Sequence, residues 1–170
     1  NHILRKSVNL SKQTHIIAAN IDQALLMITL DSPVTTTGFI DRFLVAANAY
    51  GVEVVLLFNK TDLLDDELQT QQEDLQKVYE KIGHICFATS VINDDLSAIK
   101  ELMKGKVNMI SGHSGVGKST LINYLQPDLH INTKEVSDTH KQGQHTTTFS
   151  ELHELDFGAS IIDTPGIRGF

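Results

Sequence analysis

The sequence feature that most constrains the fold is a glycine-rich loop, Gly112–Ser119, with the sequence GHSGVGKS. It matches the pattern G-x-x-x-x-G-K-[ST] at every fixed position. An apolar run typical of a β-strand, Val107–Ser111, comes directly before it, and we predict a helix over Lys118–Leu125. Glycines let a backbone wrap around phosphate groups with its N–H groups pointing inward, and a helix N-terminus adds partial positive charge. This unit therefore predicts a loop that binds the phosphates of a nucleotide.

Within this loop the side chains suggest separate roles. The Lys118 ammonium group is expected to reach the β- and γ-phosphates and to act in catalysis, and the Ser119 hydroxyl to ligate Mg²⁺. His113 lies at a permissive position, and we interpret it as incidental. The predicted nucleotide-binding residues of this segment are Gly112, Ser114, Gly115, Val116, Gly117, Lys118, Ser119 and Thr120.

A second motif, Asn59–Asp62 with the sequence NKTD, directly follows the apolar run Val52–Phe58. It is thus expected at the carboxyl end of a parallel strand, where open α/β sheets bind ligands. The Asp62 carboxylate could accept hydrogen bonds from N1–H and the 2-amino group of guanine, whereas adenine would leave it buried without donors. We predict that Asn59 contacts guanine N7 and the phosphate loop, and that the Lys60 stem covers the base and ribose.

The next predicted strand, Ile85–Ala88, leads into Ser90 and Val91. Ser90 could brace the base-binding loop, and the Val91 backbone N–H could contact guanine O6. Because threonine and serine are common in turns after strands, an ordinary turn is the alternative interpretation. The nucleotide-binding interpretation depends on the position of this pair after the NKTD segment.

A third motif, DTPG at Asp163–Gly166, ends a further apolar strand. Asp163 could hold Mg²⁺ through a water molecule, and the Gly166 N–H could contact the γ-phosphate during catalysis. The next residue is Ile167. Its hydrocarbon side chain cannot orient a water molecule, so the catalytic polar group must come from elsewhere.

The polar segment upstream of that strand supplies the remaining candidates. We expect Val136–His145 to be a mobile loop. In the threonine run that follows, Thr147 is the predicted Mg²⁺ ligand, with Thr146 as the alternative, and it would close onto a bound triphosphate. A β-favouring lead into the next strand is the other interpretation of this run. His145 is our candidate catalytic group, and an exposed loop histidine is its alternative.

The alternation of short apolar runs with amphipathic stretches indicates an α/β fold. We predict a P-loop NTPase with a mostly parallel six-stranded sheet flanked by helices, closed at one edge by a hairpin of its last two strands. The predicted strands are Ala24–Leu30, Val52–Phe58, Ile85–Ala88, Val107–Ser111, Glu151–Leu155 and Ala159–Asp163, and the predicted helices are Gly38–Tyr50, Asp65–Ile82, Asp94–Lys104 and Lys118–Leu125. The apolar residues of the second helix are expected to face the core: Leu68, Leu75, Val78 and Ile82.

Composition narrows the classes of function. With 41% hydrophobic and 21% charged residues, the 170 residues have the composition of one soluble globular domain, and no apolar run could span a bilayer. A formal net charge of −7 makes the chain a poor stand-alone nucleic-acid binder. The single cysteine, Cys86, excludes an internal disulfide framework and a multi-cysteine zinc site, which fits a cytoplasmic protein. We expect a monomer without membrane contact.

The motifs occur in an unusual order. In ordinary GTPases the phosphate loop comes first and the NKxD segment comes late, whereas here the NKTD segment comes first. This order predicts a circularly permuted GTPase, in which Lys104–Lys106 joins the two former ends. Such a joint is physically reasonable because the ends of a domain often lie close together at its surface.

The permuted order, together with the phosphate loop, the QHTTT run and the DTPG motif, closely resembles the bacterial small-subunit-dependent GTPases of the RsgA/YjeQ family. Arg5–Ser7, Ile17–Gln23 and Ile40–Arg42 are similar to that family as well, so the resemblance covers essentially the whole chain. It implies Mg²⁺-dependent hydrolysis of GTP to GDP and phosphate, stimulated by the small ribosomal subunit. It also implies a role in late maturation of that subunit, with its rRNA as a partner.

Members of the family also carry an N-terminal OB-fold and a C-terminal zinc-binding domain. The resemblance therefore implies that residues 1–170 are the permuted GTPase domain, that 1–12 are a linker from an OB-fold domain, and that zinc belongs only to the C-terminal domain. The basic residues Arg5, Lys6 and Lys12 fit a solvated linker, with an RNA contact as the alternative. Ribosome contacts would be made through the full-length protein.

Three other functions remain open from the sequence. One is a related permuted GTPase of large-subunit assembly. A second is a nucleotide-gated binding module with negligible turnover, which Ile167 keeps open. A third is an ATPase or kinase that shares only the phosphate loop, which conflicts with Asp62.

Overall fold

The structure, a computed structural model, describes residues 2–6, 14–129 and 151–164. The strands of these ranges are β1 (His2–Lys6), β2 (Thr14–Ala19), β3 (Gln23–Ile28), β4 (Glu53–Asn59), β5 (Ile85–Thr89), β6 (Val107–Ser111), β7 (Glu151–Leu155) and β8 (Ala159–Asp163). The helices are α1 (Thr37–Ala49), α2 (Asp66–Lys81), α3 (Ser97–Met103) and α4 (Lys118–Leu125), with short 3₁₀ turns at Thr61–Leu63 and Pro127–Leu129.

Six strands form one sheet in the order β5-β4-β3-β6-β8-β7. Neighbouring strands run parallel from β5 to β8, and β7 pairs antiparallel with β8 at the edge. The predicted α/β class with a mostly parallel six-stranded sheet and an edge hairpin is therefore confirmed. In a parallel sheet the carboxyl ends of the strands all lie along one side, here called the carboxyl edge. The segments after β3, β4, β5, β6 and β8 therefore meet there.

The central strand β3 shows how the core is divided. All six of its residues are buried. Ala24, Leu26 and Ile28 contribute to the cluster beneath α1 and α2, whereas Leu25 and Met27 contribute to the cluster beneath α3 and α4. Because side chains alternate across a strand, a continuous apolar run fills both layers. The sheet is thus covered on both faces, and its ends are the places left for ligands.

Helix α2 buries a different face from the one we predicted. Val78 and Ile82, which we expected in the core, are 56% and 64% exposed. Gln72 and Tyr79 are buried instead, and the Tyr79 hydroxyl donates to Asp41 Oδ1 at 2.9 Å. A tyrosine can bury its ring while its hydroxyl stays paired, so it competes with aliphatic residues for the core. Because α2 contains so many polar residues, hydropathy alone does not identify which side of the helix is buried.

The start of α3 also differs from the prediction. We expected the helix to begin at Asp94, but it begins at Ser97. Asp94 accepts a hydrogen bond from the Ser90 N–H at 2.5 Å, and Asp95 accepts from the Ser97 N–H at 2.9 Å. Aspartate side chains compete with helix formation by pairing with nearby backbone groups. The two acids therefore close turns before the helix rather than occupying its first turn.

Two further segments, one near the start of the chain and one before β7, bear on the predictions. β1 and β2 pair antiparallel, an arrangement that the sequence analysis did not predict, and β1 lies within the residues interpreted as a linker. The predicted loop Val136–His145 lies outside the described residues. In the part of the chain that the structure covers, no helix combines the length and apolar character needed to cross a bilayer.

The predicted joint of the permutation, Lys104–Lys106, lies at the sheet edge opposite the strand carboxyl ends. Gly105 has φ +72° and donates its N–H to Gly158 O at 2.8 Å. The carbonyl of Lys106 accepts from the Ser160 N–H at 3.0 Å. The joint is therefore tied by backbone hydrogen bonds to the start of β8.

One buried side chain, Asn108, secures this joint. It is fully buried, and its Nδ2 donates to the carbonyls of Met103 (3.0 Å), Lys106 (2.9 Å) and Ser160 (3.0 Å). Its Oδ1 accepts from Gln23 Nε2 at 2.5 Å. Burying polar groups without partners is costly, so this amide satisfies groups that a hydrocarbon could not.

We predict that Asn108→Leu lowers the free energy of unfolding by about 2–4 kcal/mol, because it removes the four hydrogen bonds of a fully buried amide. Urea unfolding followed by circular dichroism measures the change. Asn48→Leu on the exposed face of α1 is the matched control, with an expected change within about 0.5 kcal/mol. Equal stabilities for the two variants would contradict the role of Asn108.

Candidate nucleotide-binding site

Asn59, the last residue of β4, lies at the carboxyl edge and is 5% exposed. Its Nδ2 donates to Val116 O in the phosphate loop at 2.8 Å. Its Oδ1 accepts from the Val91 N–H, after β5, at 3.2 Å. One amide therefore joins three segments that the sequence analysis identified separately, and the predicted contact between Asn59 and the phosphate loop is present.

The glycines of the phosphate loop are required by close packing. Gly112 has φ +145°, and a Cβ there would lie 2.7 Å from Met27 O. Gly117 has φ +105°, and a Cβ there would lie 2.5 Å from Asn59 Nδ2. Gly115 also has a positive φ, +87°. Larger residues would be strained and would displace the backbone from β3 and from Asn59.

Lys118 carries a buried positive charge at the base of the loop. It is 9% exposed, and its Nζ donates to Gly112 O at 2.9 Å and His113 O at 2.8 Å. Burial lowers the pKa of Lys118 to about 8, and the nearby carboxylate of Asp163 partly opposes that shift. A cation held by neutral carbonyls in a dry place is stabilised by an arriving anion, which fits a phosphate ligand.

Helix α4 completes the loop. It begins at Lys118 with Gly117 as its N-cap, and no side chain caps it. The N–H groups of its first turn are therefore not taken by a capping side chain and suit an anion. Ser119 and Thr120 are half-buried at this helix start, and Ser114 is exposed in the loop.

The groups suited to Mg²⁺ come from two segments. Ser119 offers a hydroxyl at the start of α4, and Asp163 offers a carboxylate at the end of β8. Asp163 is 5% exposed and pairs in register with Ile110, two residues before the phosphate loop. Hydroxyl and carboxylate oxygens are the ligands that Mg²⁺ takes in nucleotide sites, so the donor set fits this ion.

Lys60 and Asp62 follow Asn59 on the same edge. Lys60 has a left-handed backbone, with φ +65° and ψ 35°, and its Nζ donates to Ser32 O at 2.7 Å. Asp62 lies in the 3₁₀ turn after it and is exposed. The left-handed residue turns the chain sharply after β4 and leaves the Asp62 carboxylate accessible to a ligand.

Ser90 and Val91 make contacts within the protein. Ser90 donates its N–H to Asp94 and its Oγ accepts from Asn93 Nδ2 at 3.0 Å, so it braces its own turn. The Val91 N–H, which we expected to contact guanine O6, donates to the Asn59 side chain. This turn is thus held against the NKTD segment.

Four predicted site residues are not placed by the structure. Gly166, His145, Thr147 and its alternative Thr146 lie outside the described residues. Their proposed roles remain predictions.

The connection between β3 and α1 was missed by the sequence analysis. Its Ser32 carbonyl holds Lys60, and the Phe39 ring in the first turn of α1 contacts the His113 ring of the phosphate loop, with centroids 4.1 Å apart. β3 lies between β4 and β6 in the sheet. The sequence did carry a signal for this connection. β3 is a parallel strand between the strands that carry the two motifs, so the segment after it must also begin at the carboxyl edge.

Comparisons with known proteins agree with this geometry. The family model described as RsgA GTPase matches residues 1–170. The small ribosomal subunit biogenesis GTPase RsgA of Flavobacterium johnsoniae is 58% identical across the whole chain, which covers 53% of that protein. Its namesake in Bacteroides fragilis is 52% identical, with 55% of that protein covered.

The chain belongs to the RsgA GTPase family. It spans about half the length of the curated relatives it matches. Among solved structures, it is similar to YjeQ from Thermotoga maritima, with a TM-score of 0.73, 33% identity, and coverage of 96% of this chain and 51% of that one. It is also similar to YloQ, described as a circularly permuted GTPase, with a TM-score of 0.66, 28% identity, and coverage of 88% and 46%. The predicted family and the permuted P-loop fold are confirmed.

We predict that Gly117→Ala weakens GDP binding at least about tenfold, because the added methyl group overlaps the Asn59 amide. Gly83→Ala is the matched control, since Gly83 also has a positive φ, +98°, but nothing lies within 4 Å of its Cβ. Both variants bear the backbone strain, and only the first bears the clash. Fluorescence titration with a labelled GDP separates them, and equal affinities would show that the contact is unimportant.

We also predict that GDP affinity falls above a pH of about 8, by up to about tenfold per pH unit. Lys118 loses its proton there in the free protein, and bound phosphate requires the charged form, so binding takes up a proton. At that pH, calorimetry in buffers of different ionisation enthalpy should detect uptake of about half a proton. Lys118→Arg stays charged and should lose this uptake, while any titration of guanine itself is common to both proteins. Equal proton uptake by both would contradict the assignment.

Proposed function

We propose that this chain binds GTP with Mg²⁺ and hydrolyses it to GDP and phosphate. The observation that carries the proposal is the double hydrogen bond of Asn59, to Val116 in the phosphate loop and to Val91 after β5. It sets the proposed base-reading motif directly beside the proposed phosphate-binding loop, as one bound nucleotide would require. A glycine-rich turn that occurred by chance would not need a hydrogen bond from Asn59.

Selectivity for guanine is assigned to the NKTD segment. The exposed carboxylate of Asp62 would accept hydrogen bonds from N1–H and the 2-amino group of the base. Adenine offers neither donor, and enclosing a carboxylate without partners costs more than a missing contact. The stem of Lys60, anchored at its tip by Ser32 O, would lie along the base and ribose. This argues against an ATPase or kinase.

The phosphate end is assigned to the loop and the start of α4. Lys118 would move its charge from two carbonyls to the β- and γ-phosphates. Ser119, Asp163 through water, and Thr147 would hold Mg²⁺, which when bound neutralises charge on the phosphate oxygens. The Gly166 N–H would meet the γ-phosphate.

The polar group that orients the attacking water is assigned to His145. Ile167, beside the DTPG motif, cannot supply one. His145 adjoins the proposed Mg²⁺ threonine in sequence, so closure of that segment would bring both to the γ-phosphate together. A chain that binds GTP without turnover would show that no such group is present and would favour a nucleotide-gated binding module.

The biological role we propose is maturation of the small ribosomal subunit in the cytoplasm. The curated relatives are named small ribosomal subunit biogenesis GTPases, which favours this role over large-subunit assembly. With a net charge of −7, residues 1–170 are poorly suited to bind rRNA alone. Contacts with the subunit and its rRNA are therefore proposed for the full-length protein, acting as a monomer.

We predict that Asp62→Asn lowers affinity for GDP at least about tenfold and raises affinity for xanthosine diphosphate, because an amide offers a donor where xanthine presents a carbonyl. Competition against labelled nucleotide measures both affinities. Asp65→Asn is the matched control, because Asp65 only caps α2 and asparagine caps as well. Unchanged selectivity in Asp62→Asn would remove this residue from base recognition.

The assembly role is tested by phosphate release from GTP with and without ribosomal subunits. A full-length relative should be stimulated by small subunits and not by large ones, while residues 1–170 alone should respond weakly. Stimulation by large subunits alone would transfer the proposal to large-subunit assembly.

A further inference from the structure

We propose that His113 is a positioning residue for Lys118, acting through a ring contact with Phe39 at the start of α1. The two ring centroids are 4.1 Å apart with their planes inclined by 37°. From the sequence alone His113 looks incidental, because the loop pattern permits any residue there. The inference rests on the proposed function, in which Lys118 holds the β-phosphate.

The connection to Lys118 runs through the backbone of His113. The carbonyl of His113 accepts one of the two hydrogen bonds that hold the Lys118 ammonium group in place, and Gly112 accepts the other. Hydrogen bonds of charged groups depend strongly on distance and direction. When the His113 ring packs against Phe39, the direction of the His113 backbone carbonyl is fixed. The ammonium group of the buried lysine is then held in position before nucleotide binds.

The His113 ring packs against Phe39, which is itself held in the core. Phe39 is 2% exposed, in the core beneath α1 and α2, and its N–H is held by the Thr36 cap with Oγ1 at 3.3 Å. The loop before it is closed on itself, because Thr35 N–H donates to Thr29 O at 2.8 Å and Thr29 N–H to Thr35 Oγ1 at 3.2 Å. The phosphate loop thus contacts a buried part of the core that is held by several hydrogen bonds.

The same closed loop also touches the base-reading segment, because its Ser32 carbonyl holds Lys60. The β3–α1 connection therefore contacts both motifs, on the opposite side of β3 from the cluster that contains Val91 and Val116. Asn59 is one support of the phosphate loop, and the His113 ring is a second.

The experiment compares GDP with GMP as ligands. Both nucleotides offer the same base and ribose to the NKTD segment, but only GDP carries the β-phosphate that Lys118 would hold. His113→Ala should weaken GDP binding about tenfold while GMP affinity stays within about twofold. His113→Phe, which keeps a ring on Phe39 and no titratable nitrogen, should restore GDP binding to within about twofold of the parent protein.

Each outcome decides between a positioning role and a merely structural one. Equal weakening of GDP and GMP by His113→Ala would mean a general loss of structure and would overturn the proposal. Failure of His113→Phe to restore GDP binding would also overturn it, because the imidazole itself would then be needed. If the parent protein bound GDP no better than GMP, the assignment of the phosphate loop, and with it the proposed function, would fail instead.

Discussion

The whole candidate site depends on the buried amide of Asn59. It is held between Val116 and Val91, because one amide N–H donates to the Val116 carbonyl and the amide oxygen accepts from the Val91 N–H. A buried amide that lost these partners would cost about 1–3 kcal/mol for each unpaired group, which keeps the three segments together. The requirement for glycine at position 117 follows from the same contact, because only hydrogen fits against the amide nitrogen. One buried side chain therefore holds the proposed base-reading and phosphate-binding segments together.

The electrostatics of the site follow from a second constraint, the burial of Lys118. Two carbonyls hold its ammonium group, and Asp163 stabilises its charge, yet burial still dominates and lowers its pKa. The free protein thus holds a cation whose charge is incompletely balanced, and a phosphate at this loop would stabilise the charged form further. A site of this kind gains binding energy from charge that the fold alone leaves incompletely balanced.

Much of the site was predictable because its motifs combine a residue pattern with a position in the fold. The phosphate loop requires glycines between a strand and a helix, and NKTD follows a buried strand, so sequence spacing placed both at one sheet edge. Where a residue's partner is distant in sequence, the prediction was incomplete. The Val91 N–H was expected to face guanine, but it is taken by Asn59, 32 residues earlier. His113 was judged by the loop pattern alone, and its contact with Phe39 depends on the tertiary fold.

The six-stranded sheet could be predicted as well as the site, whereas the β1–β2 pair could not. Buried strands such as β3 are continuous apolar runs, and their number and sheet type could be inferred from the sequence. The buried face of α2 could not, because Tyr79 enters the core with its hydroxyl paired to Asp41 while aliphatic Val78 stays outside. Likewise, Asp94 looks like a residue of a first helical turn, but it pairs with Ser90 instead. These errors share a cause, since local composition does not specify which polar group finds a tertiary partner.

The geometry also explains how the chain order can change without loss of the site. The joint at Lys104–Lys106 precedes β6, at the edge of the sheet opposite the nucleotide motifs. Its polar groups are satisfied there by Asn108 and by the start of β8, so the joint makes no demand on the carboxyl edge. The site needs particular strands to be neighbours in space, and that condition does not depend on which strand is made first. The joint thus lies away from the phosphate loop and the NKTD segment, and the permuted order leaves both segments intact.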